Sequence, residues 1–180
     1  MKLSILIPTI TKRQIMLARL MRILQPQLTD ETELIIDCDD GERTIGKKRN
    51  DLMAKAKGDY IVFIDDDDLI TDNYVSELMR GISTGLDVVC VNAIHTTDGY
   101  LPRLVIDLPY QEWKEAHDIY LRGVQWRDAV KREIAISVPY PDIRFGEDHA
   151  WTVAIEATKI IKTWLPATEP TYFHEFVSAK

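Results

Sequence analysis

Apolar residues fall into short dense runs, separated by stretches with helical spacing. Leu3–Ile7 is the first run, ended by Pro8-Thr9. Thr11 and Gln14 have the spacing of a capping box, and Ile15, Ala18, Met21 and Leu24 then recur at helical intervals until Pro26 breaks the pattern. Leu34–Ile36 predicts a second strand, closing on a polar turn over 37–41. Ile45, Leu52, Met53 and Ala56 mark a second helix, stopped by Gly58. Tyr60–Ile64 reads as a buried strand, followed by a helix from about 72 to 82 and a strand over 87–91. Such alternation predicts a mostly parallel sheet with helices on both faces.

Beyond residue 91 the pattern changes. Val91–Ile94 and Leu101–Ile106 flank Thr97-Asp98-Gly99, a strong hairpin signal. Glu147–Thr158 reads as a helix with Ala150, Val153, Ala154 and Ala157 on one face. Ile160–Trp164 and Thr171–Phe173 read as short strands. No repeat, linker or low-complexity tract divides the chain, so 1–180 is expected to form one domain.

Charge and cysteine content narrow the class. The chain has 180 residues and a formal net charge of −7. That argues against a general nucleic-acid surface but leaves room for a local basic pocket. No apolar run approaches the ~20 residues of a membrane helix. Met1–Pro8 resembles a signal peptide only briefly. Pro8 interrupts it, Lys12 and Arg13 follow, and no small-residue cleavage site appears. Cys38 and Cys90 lie in strand-like runs and are expected to be buried free thiols, as suits a cytoplasmic protein; a disulfide is the alternative if their strands are neighbours.

The distinctive chemistry is at Asp65, Asp66, Asp67 and Asp68, which follow directly on the Tyr60–Ile64 run. Open α/β sheets bind ligands at the C-terminal ends of their strands. Adjacent carboxylates repel one another and call for a cation, and hard oxygen donors suit Mg²⁺ or Mn²⁺. An EF-hand loop is excluded, because its sixth position, counted from Asp65, is Ile70 rather than Gly. A phosphatase of the haloacid-dehalogenase type would place its nucleophilic Asp on the first strand, not the third. A solvated acidic turn is the plain alternative.

An ordered series of motifs resembles family 2 glycosyltransferases of the GT-A fold. It comprises Ser4–Thr9, Glu33–Ile36 with Asp39-Asp40-Gly41, Lys48-Arg49-Asn50, Ala56–Ile61, Asp65–Asp68, Asp87–Asn92, Lys131-Arg132-Glu133, Arg144–Asp148 and Tyr172-Phe173-His174. The resemblance implies a GT-A (Rossmann-like) α/β fold. It also implies a nucleotide-sugar-binding half over about 1–92 and an acceptor-binding half over about 93–180. By that resemblance Asp67 is a direct metal ligand and His174 approaches the metal or diphosphate. The metal would be Mn²⁺ or Mg²⁺, with the imidazole favouring Mn²⁺. Asp65 would hold the ribose or a metal-bound water, and Asp66 would stand beside it. Pro8, Thr9, Asp39, Asp40 and Arg49 would contact the donor, with Asp37 a rival to Asp39. Lys47 and Lys48 read equally as a solvated basic face. Asp148 would be the general base, supported by Glu147, and the expected outcome is inversion at the anomeric carbon.

The expected donor is UDP-linked. The acceptor stays open among saccharide, lipid-linked saccharide, protein and small molecule, with nucleic acid disfavoured by the net charge. Trp126 and Trp151 are the candidate sugar platforms, while Trp113 and Trp164 are assigned to the core. Alternatives are a nucleotidyltransferase- or phosphatase-like metal enzyme, and a nucleotide-sugar-binding scaffold without turnover.

Overall fold

The first apolar run becomes strand β1 (Leu3–Ile10), buried on both faces as far as Thr9 in a computed structural model that describes residues 1–176. β1 pairs in parallel with β2 (Thr32–Asp39) along its whole length. On its other side it pairs with β3 (Tyr60–Phe63) only as far as Leu6. Pro8, which has no N–H to give, falls past the end of that second ladder. β1 can therefore run three residues beyond its expected end, and it carries Pro8 and Thr9 to the sheet's C-terminal edge. β2 is likewise longer than expected and includes Asp37, Cys38 and Asp39 rather than turning there.

Helices α1 (Gln14–Leu24) and α2 (Ile45–Lys55) connect these strands. The expected capping box does not form. Residues 11–13 make one 3₁₀ turn, and Thr11 Oγ1 instead donates to the Asp39 carbonyl at 3.2 Å. α1 stops before the 3₁₀ turn that carries Pro26. α2 is capped by Thr44, whose hydroxyl accepts the Lys47 N–H at 3.0 Å.

Two six-stranded sheets result. Further strands are β4 (Leu69–Ile70), β5 (Val88–Val89), β6 (Asn92–Thr97), β7 (Tyr100–Asp107), β8 (Lys114–Glu115), β9 (Ile119–Arg122), β10 (Ala129–Lys131), β11 (Trp164–Leu165) and β12 (Pro170–Phe176). Helices α3 (Tyr74–Ile82), α4 (Arg132–Ala135) and α5 (Glu147–Ala157) complete the elements. The first sheet has the order β11-β5-β10-β3-β1-β2, with β10 antiparallel to both neighbours. The second has the order β4-β12-β6-β7-β9-β8. The expected hairpin is β6–β7; Asp98 and Gly99 have φ of +51° and +74°, as a tight two-residue turn requires.

Period-two burial divides the core around the first sheet. Leu3, Ile5 and Ile7 join Leu20 and Leu24 of α1 and Leu78 of α3. Leu6, Ile61 and Phe63 join Leu52 and Met53 of α2 and Trp151 and Ile155 of α5. The face predicted for α5 is wrong. Ala150, Val153, Ala154 and Ala157 face solvent, and Glu147, Trp151, Thr152 and Ile155 are buried. Bulk decides this, since Trp151 and Ile155 bury far more apolar area than alanines can. Cys38 is exposed rather than buried, because β2 is an edge strand; Cys90 is buried, and both are free thiols.

Gly46, in the first turn of α2, lets that helix meet the loop leading into α5. A Cβ built there would fall 1.8 Å from the Pro141 carbonyl oxygen, a backbone atom that cannot simply rotate away. Gly46→Ala is therefore expected to lower the urea midpoint by the equivalent of ~1–3 kcal/mol, as overpacking does. A midpoint equal to wild type would show that the two segments separate easily.

Candidate active site

The acidic run leaves the C-terminal end of β3 beside the ends of β1 and β2. Each of its four carboxylates is held differently. Asp65 Oδ1 and Oδ2 accept from Arg49 Nη2 at 2.9 and 3.2 Å. Asp66, 2 % exposed, accepts from Thr9 Oγ1 at 2.6 Å and from Arg13 Nη1 at 2.9 Å. Asp67 stands at the rim and pairs with the same Arg13 nitrogen at 3.1 Å. Asp68 is buried, accepting from Tyr172 Oη at 2.6 Å and from His174 Nδ1 at 2.8 Å. Burial raises the Asp65 pKa above the ordinary carboxylate value; Arg49 opposes this, while Asp68, Asp67 and Glu147 add to it.

Arg49 joins the two halves of the chain. Its guanidinium is 2 % exposed, and Nε donates to Glu147 Oε1 at 3.2 Å. The aromatic rings of Phe63, Trp126 and Tyr140 lie 5.0, 5.6 and 5.7 Å from its central carbon. Its Nη1 has no hydrogen-bond partner among the described residues, an arrangement rare for a buried donor outside a ligand site. Glu147 is buried on this arginine. Asp148, the next residue, is half-buried in the first turn of α5, and its carboxylate makes no hydrogen bond or ion pair among the described residues. Gly146 precedes both at φ +77°, a left-handed conformation that suits glycine and sets the angle at which α5 starts.

A cavity of about 350 Å³ opens beside Asp66. Pro8, Thr9 and Asp40 line it, as do Lys12, Arg13, Arg43, Lys48 and Arg144, with Phe145 at its mouth. Here is the local basic pocket that the acidic total charge allowed. Lys48 is a buried wall of it, not a solvated face, while Lys47 forms a surface pair with Asp51 at 2.5 Å. Asp39 does not line the cavity. Its carboxylate is already taken by Lys48 Nζ, by the Gly41 and Arg43 N–H groups and by Arg43 Nε. Asp37 is buried against Arg43 at 2.6 Å. Of the carboxylates expected near a base, Asp40 is the one that is exposed and faces the cavity.

The bonds to Asp39 have a consequence for acid stability. Burial alone would raise its pKa, but Lys48 and the two backbone N–H groups outweigh this and hold it at about 2, against an ordinary 3.8. A depressed carboxylate stabilises the fold above its unfolded pKa and ceases to do so as pH falls through its folded one. Asp39→Asn should therefore be less stable than wild type at neutral pH. The gap should narrow between about pH 4 and about pH 2, read as the difference in urea midpoints. A gap independent of pH would contradict the assignment.

A second cavity, of about 190 Å³, contains Asp67 and His174 together with Arg19 and Phe173. Among the described residues no group of three His, Cys, Asp or Glu side chains is arranged to hold a metal ion. The two predicted donors, Asp67 and His174, line this one cavity, and the chemistry of carboxylate plus imidazole suits a cation completed by substrate. Metal-binding histidines commonly give their other ring N–H to a carboxylate, as His174 Nδ1 does to Asp68. Mg²⁺-type ions are commonly held by one or two carboxylates plus phosphate oxygens rather than by an all-protein cage.

Residues 22–127, more than half of the chain, match the sequence model of Glycosyl transferase family 2. The chain belongs to that family. No curated relative matches the chain. Among solved structures it is similar to S. aureus TarS 1-349 in complex with UDP-GlcNAc, with TM-score 0.73, 15 % identity and coverage of 100 % of this chain and 60 % of that one. The same fragment in complex with UDP gives 0.72, 16 %, 97 % and 60 %. A197 from STIV gives 0.51, 14 %, 97 % and 82 %. At these identities the likeness shows the GT-A fold, and the chain spans about 60 % of the TarS fragment. Among the described residues no helix is long and apolar enough to cross a membrane.

Several site features escape the sequence. In the sequence Arg13 counts only against a signal peptide, yet Lys12-Arg13 directly after a strand end is a basic pair where ligands bind. Trp151 is core, stacked on Tyr140 at 4.9 Å with Nε1 donating to the Val138 carbonyl. Trp126 is half-buried under Arg49. Trp113 and Trp164, expected in the core, are instead exposed, the Trp113 ring lying 4.3 Å from that of His149.

Proposed function

We propose that the chain transfers one sugar from a nucleotide-sugar donor, with UDP as the nucleotide, to an acceptor hydroxyl, with inversion and with help from a divalent metal. The observation that carries this reading is the Arg49 bridge. It ties Asp65, at the end of β3, to Glu147, at the start of α5. The basic cavity then lies on one side of the acidic run and Asp148 on the helix that faces it.

In this reading Pro8, Thr9 and Asp40 receive the nucleoside, and Lys12, Arg13 and Lys48 meet the diphosphate. Asp65 and the open Nη1 of Arg49 orient the ribose and sugar. Asp67 and His174 would hold Mn²⁺ or Mg²⁺, which supplies charge neutralisation to the leaving diphosphate. Asp148 takes the proton of the acceptor hydroxyl. That oxygen attacks the anomeric carbon from the face opposite the diphosphate, the bond from carbon to phosphate oxygen breaks, and its electron pair leaves with the nucleotide. One displacement gives inversion. The donor sugar and acceptor class stay open.

A thermal-shift panel tests this: UDP-, GDP- and dTDP-sugars and bare nucleotides, each with Mn²⁺, with Mg²⁺ and with EDTA. A ligand at about a hundred times its Kd adds ~2.7 kcal/mol of stability, well above detection. A metal-dependent rise is expected for UDP-linked donors and should be lost in Asp67→Ala. Absence of any shift would sink the reading in favour of a phosphatase-like role, and a shift without sugar transfer would favour a nucleotide-sugar-binding scaffold.

A further inference from the structure

Arg13 stands between the two cavities. Its Nη1 donates to Asp66 Oδ1 at 2.9 Å and lies 3.1 Å from Asp67 Oδ2. Asp66 lines the basic cavity and Asp67 lines the cavity of His174. The two contacts are unequal. Asp66 is 2 % exposed and also held by Thr9, so its grip on Arg13 is sheltered. Asp67 is 38 % exposed, and solvent weakens its pair with an arginine that is itself 42 % exposed. A guanidinium carries five N–H donors in a rigid fork that matches phosphate oxygens. Only Nη1 is engaged among the described residues, and Arg13 is itself a lining residue of the basic cavity.

We propose that Arg13 is an exchangeable cation of the donor site: it neutralises Asp67 while the site is empty, and turns to the diphosphate of a bound nucleotide, leaving Asp67 to a divalent metal. This rests on the nucleotide-sugar reading above and adds a link between its two ligands. Asp66 acts as the pivot, keeping the guanidinium attached during the exchange. A cation and Arg13 compete for the Asp67 carboxylate, which Arg13 holds through Oδ2, so metal binds weakly to the empty site. A diphosphate relieves the competition by drawing Arg13 away. Coupling of this kind is reciprocal, so metal must raise diphosphate affinity by the same factor as diphosphate raises metal affinity.

The test uses Mn²⁺ alone, followed by the paramagnetic resonance of free Mn²⁺, and inorganic pyrophosphate in EDTA, followed by calorimetry. In Arg13→Gln, Mn²⁺ should bind about fivefold more tightly than in wild type, as loss of a half-exposed competing ion pair predicts. Pyrophosphate should bind about tenfold more weakly, as loss of a charge-assisted hydrogen bond predicts. Arg13→Lys keeps the charge and guards against a folding defect. It should hold Mn²⁺ affinity near wild type and recover only part of the pyrophosphate affinity, lacking the fork. If wild type binds both probes but Arg13→Gln binds either one equally well, the exchange is refuted and the donor site stands. If wild type binds neither probe, the donor-site reading falls and the exchange falls with it.

Discussion

Asp148→Asn is expected to cut sugar transfer ~10²–10⁴-fold, the range supplied by a positioned general base, while leaving nucleotide-sugar affinity essentially unchanged. The two acidic residues that open α5 are not equivalent. Glu147 is buried and bonded to Arg49, so its negative charge serves the fold and the Asp65 region. Asp148 is half-buried, with no hydrogen bond or ion pair to its carboxylate among the described residues. A helix N-terminus favours a negative side chain without fixing it to a partner, so the carboxylate stays available to accept a proton. Asparagine keeps the shape and removes that capacity. Steady-state kcat at saturating donor, set beside calorimetric donor affinity, separates the two effects. Normal transfer by Asp148→Asn would remove this residue from the mechanism. Equal loss of transfer and donor affinity would instead make it a binding residue.

The front half of the fold is legible because its signals are local. Each strand from β1 to β3 is a dense apolar run, and each is followed by helical spacing that must cross back over the sheet. The β6–β7 hairpin is legible for the same reason, since Asp98-Gly99 encodes the turn. The second sheet is not legible. β12 pairs in parallel with β6, residue Tyr172 against Ala93, and no periodicity within either segment announces a partner so far away. β10 is hidden in the same way: it inserts between β3 and β5 from the back half and makes the first sheet mixed. At the site, residue types pointed to the region, while pairing decided what each group is free to do. Asp39 and Asp40 are adjacent and chemically alike. Lys48 and Arg43 consume the first and leave the second facing the cavity. Of the four aspartates after β3, Asp67 is the most exposed, at 38 % against 22 % for Asp65, and that depends on Thr9, Tyr172 and Arg49 holding the other three.

Arg49→Met should cost about 3–5 kcal/mol of stability, the usual result of removing one partner from buried ion pairs. The guanidinium is enclosed by three aromatic rings and bonded to carboxylates from opposite halves of the chain. Methionine can fill the volume. It leaves Glu147, 6 % exposed, and Asp65 without their shared cation. Arg49→Lys is not a gentle change either. A single ammonium lacks the separate Nε and Nη2 donors that now reach both carboxylates, so lysine should recover only part of the loss. The pairwise nature of the effect can be isolated with Arg49→Met/Glu147→Gln. Removing the second charge relieves the buried carboxylate that the first change strands, so the double variant should be more stable than Arg49→Met alone. Urea unfolding of the four proteins reads this directly. A loss under ~1 kcal/mol for Arg49→Met would mean that water reaches both carboxylates and that the bridge does not hold the halves together. The functional signature should also differ from that of Asp148→Asn. Because Arg49 serves the β3 end and the α5 start at once, donor affinity and transfer should fall together, and added donor should not restore kcat.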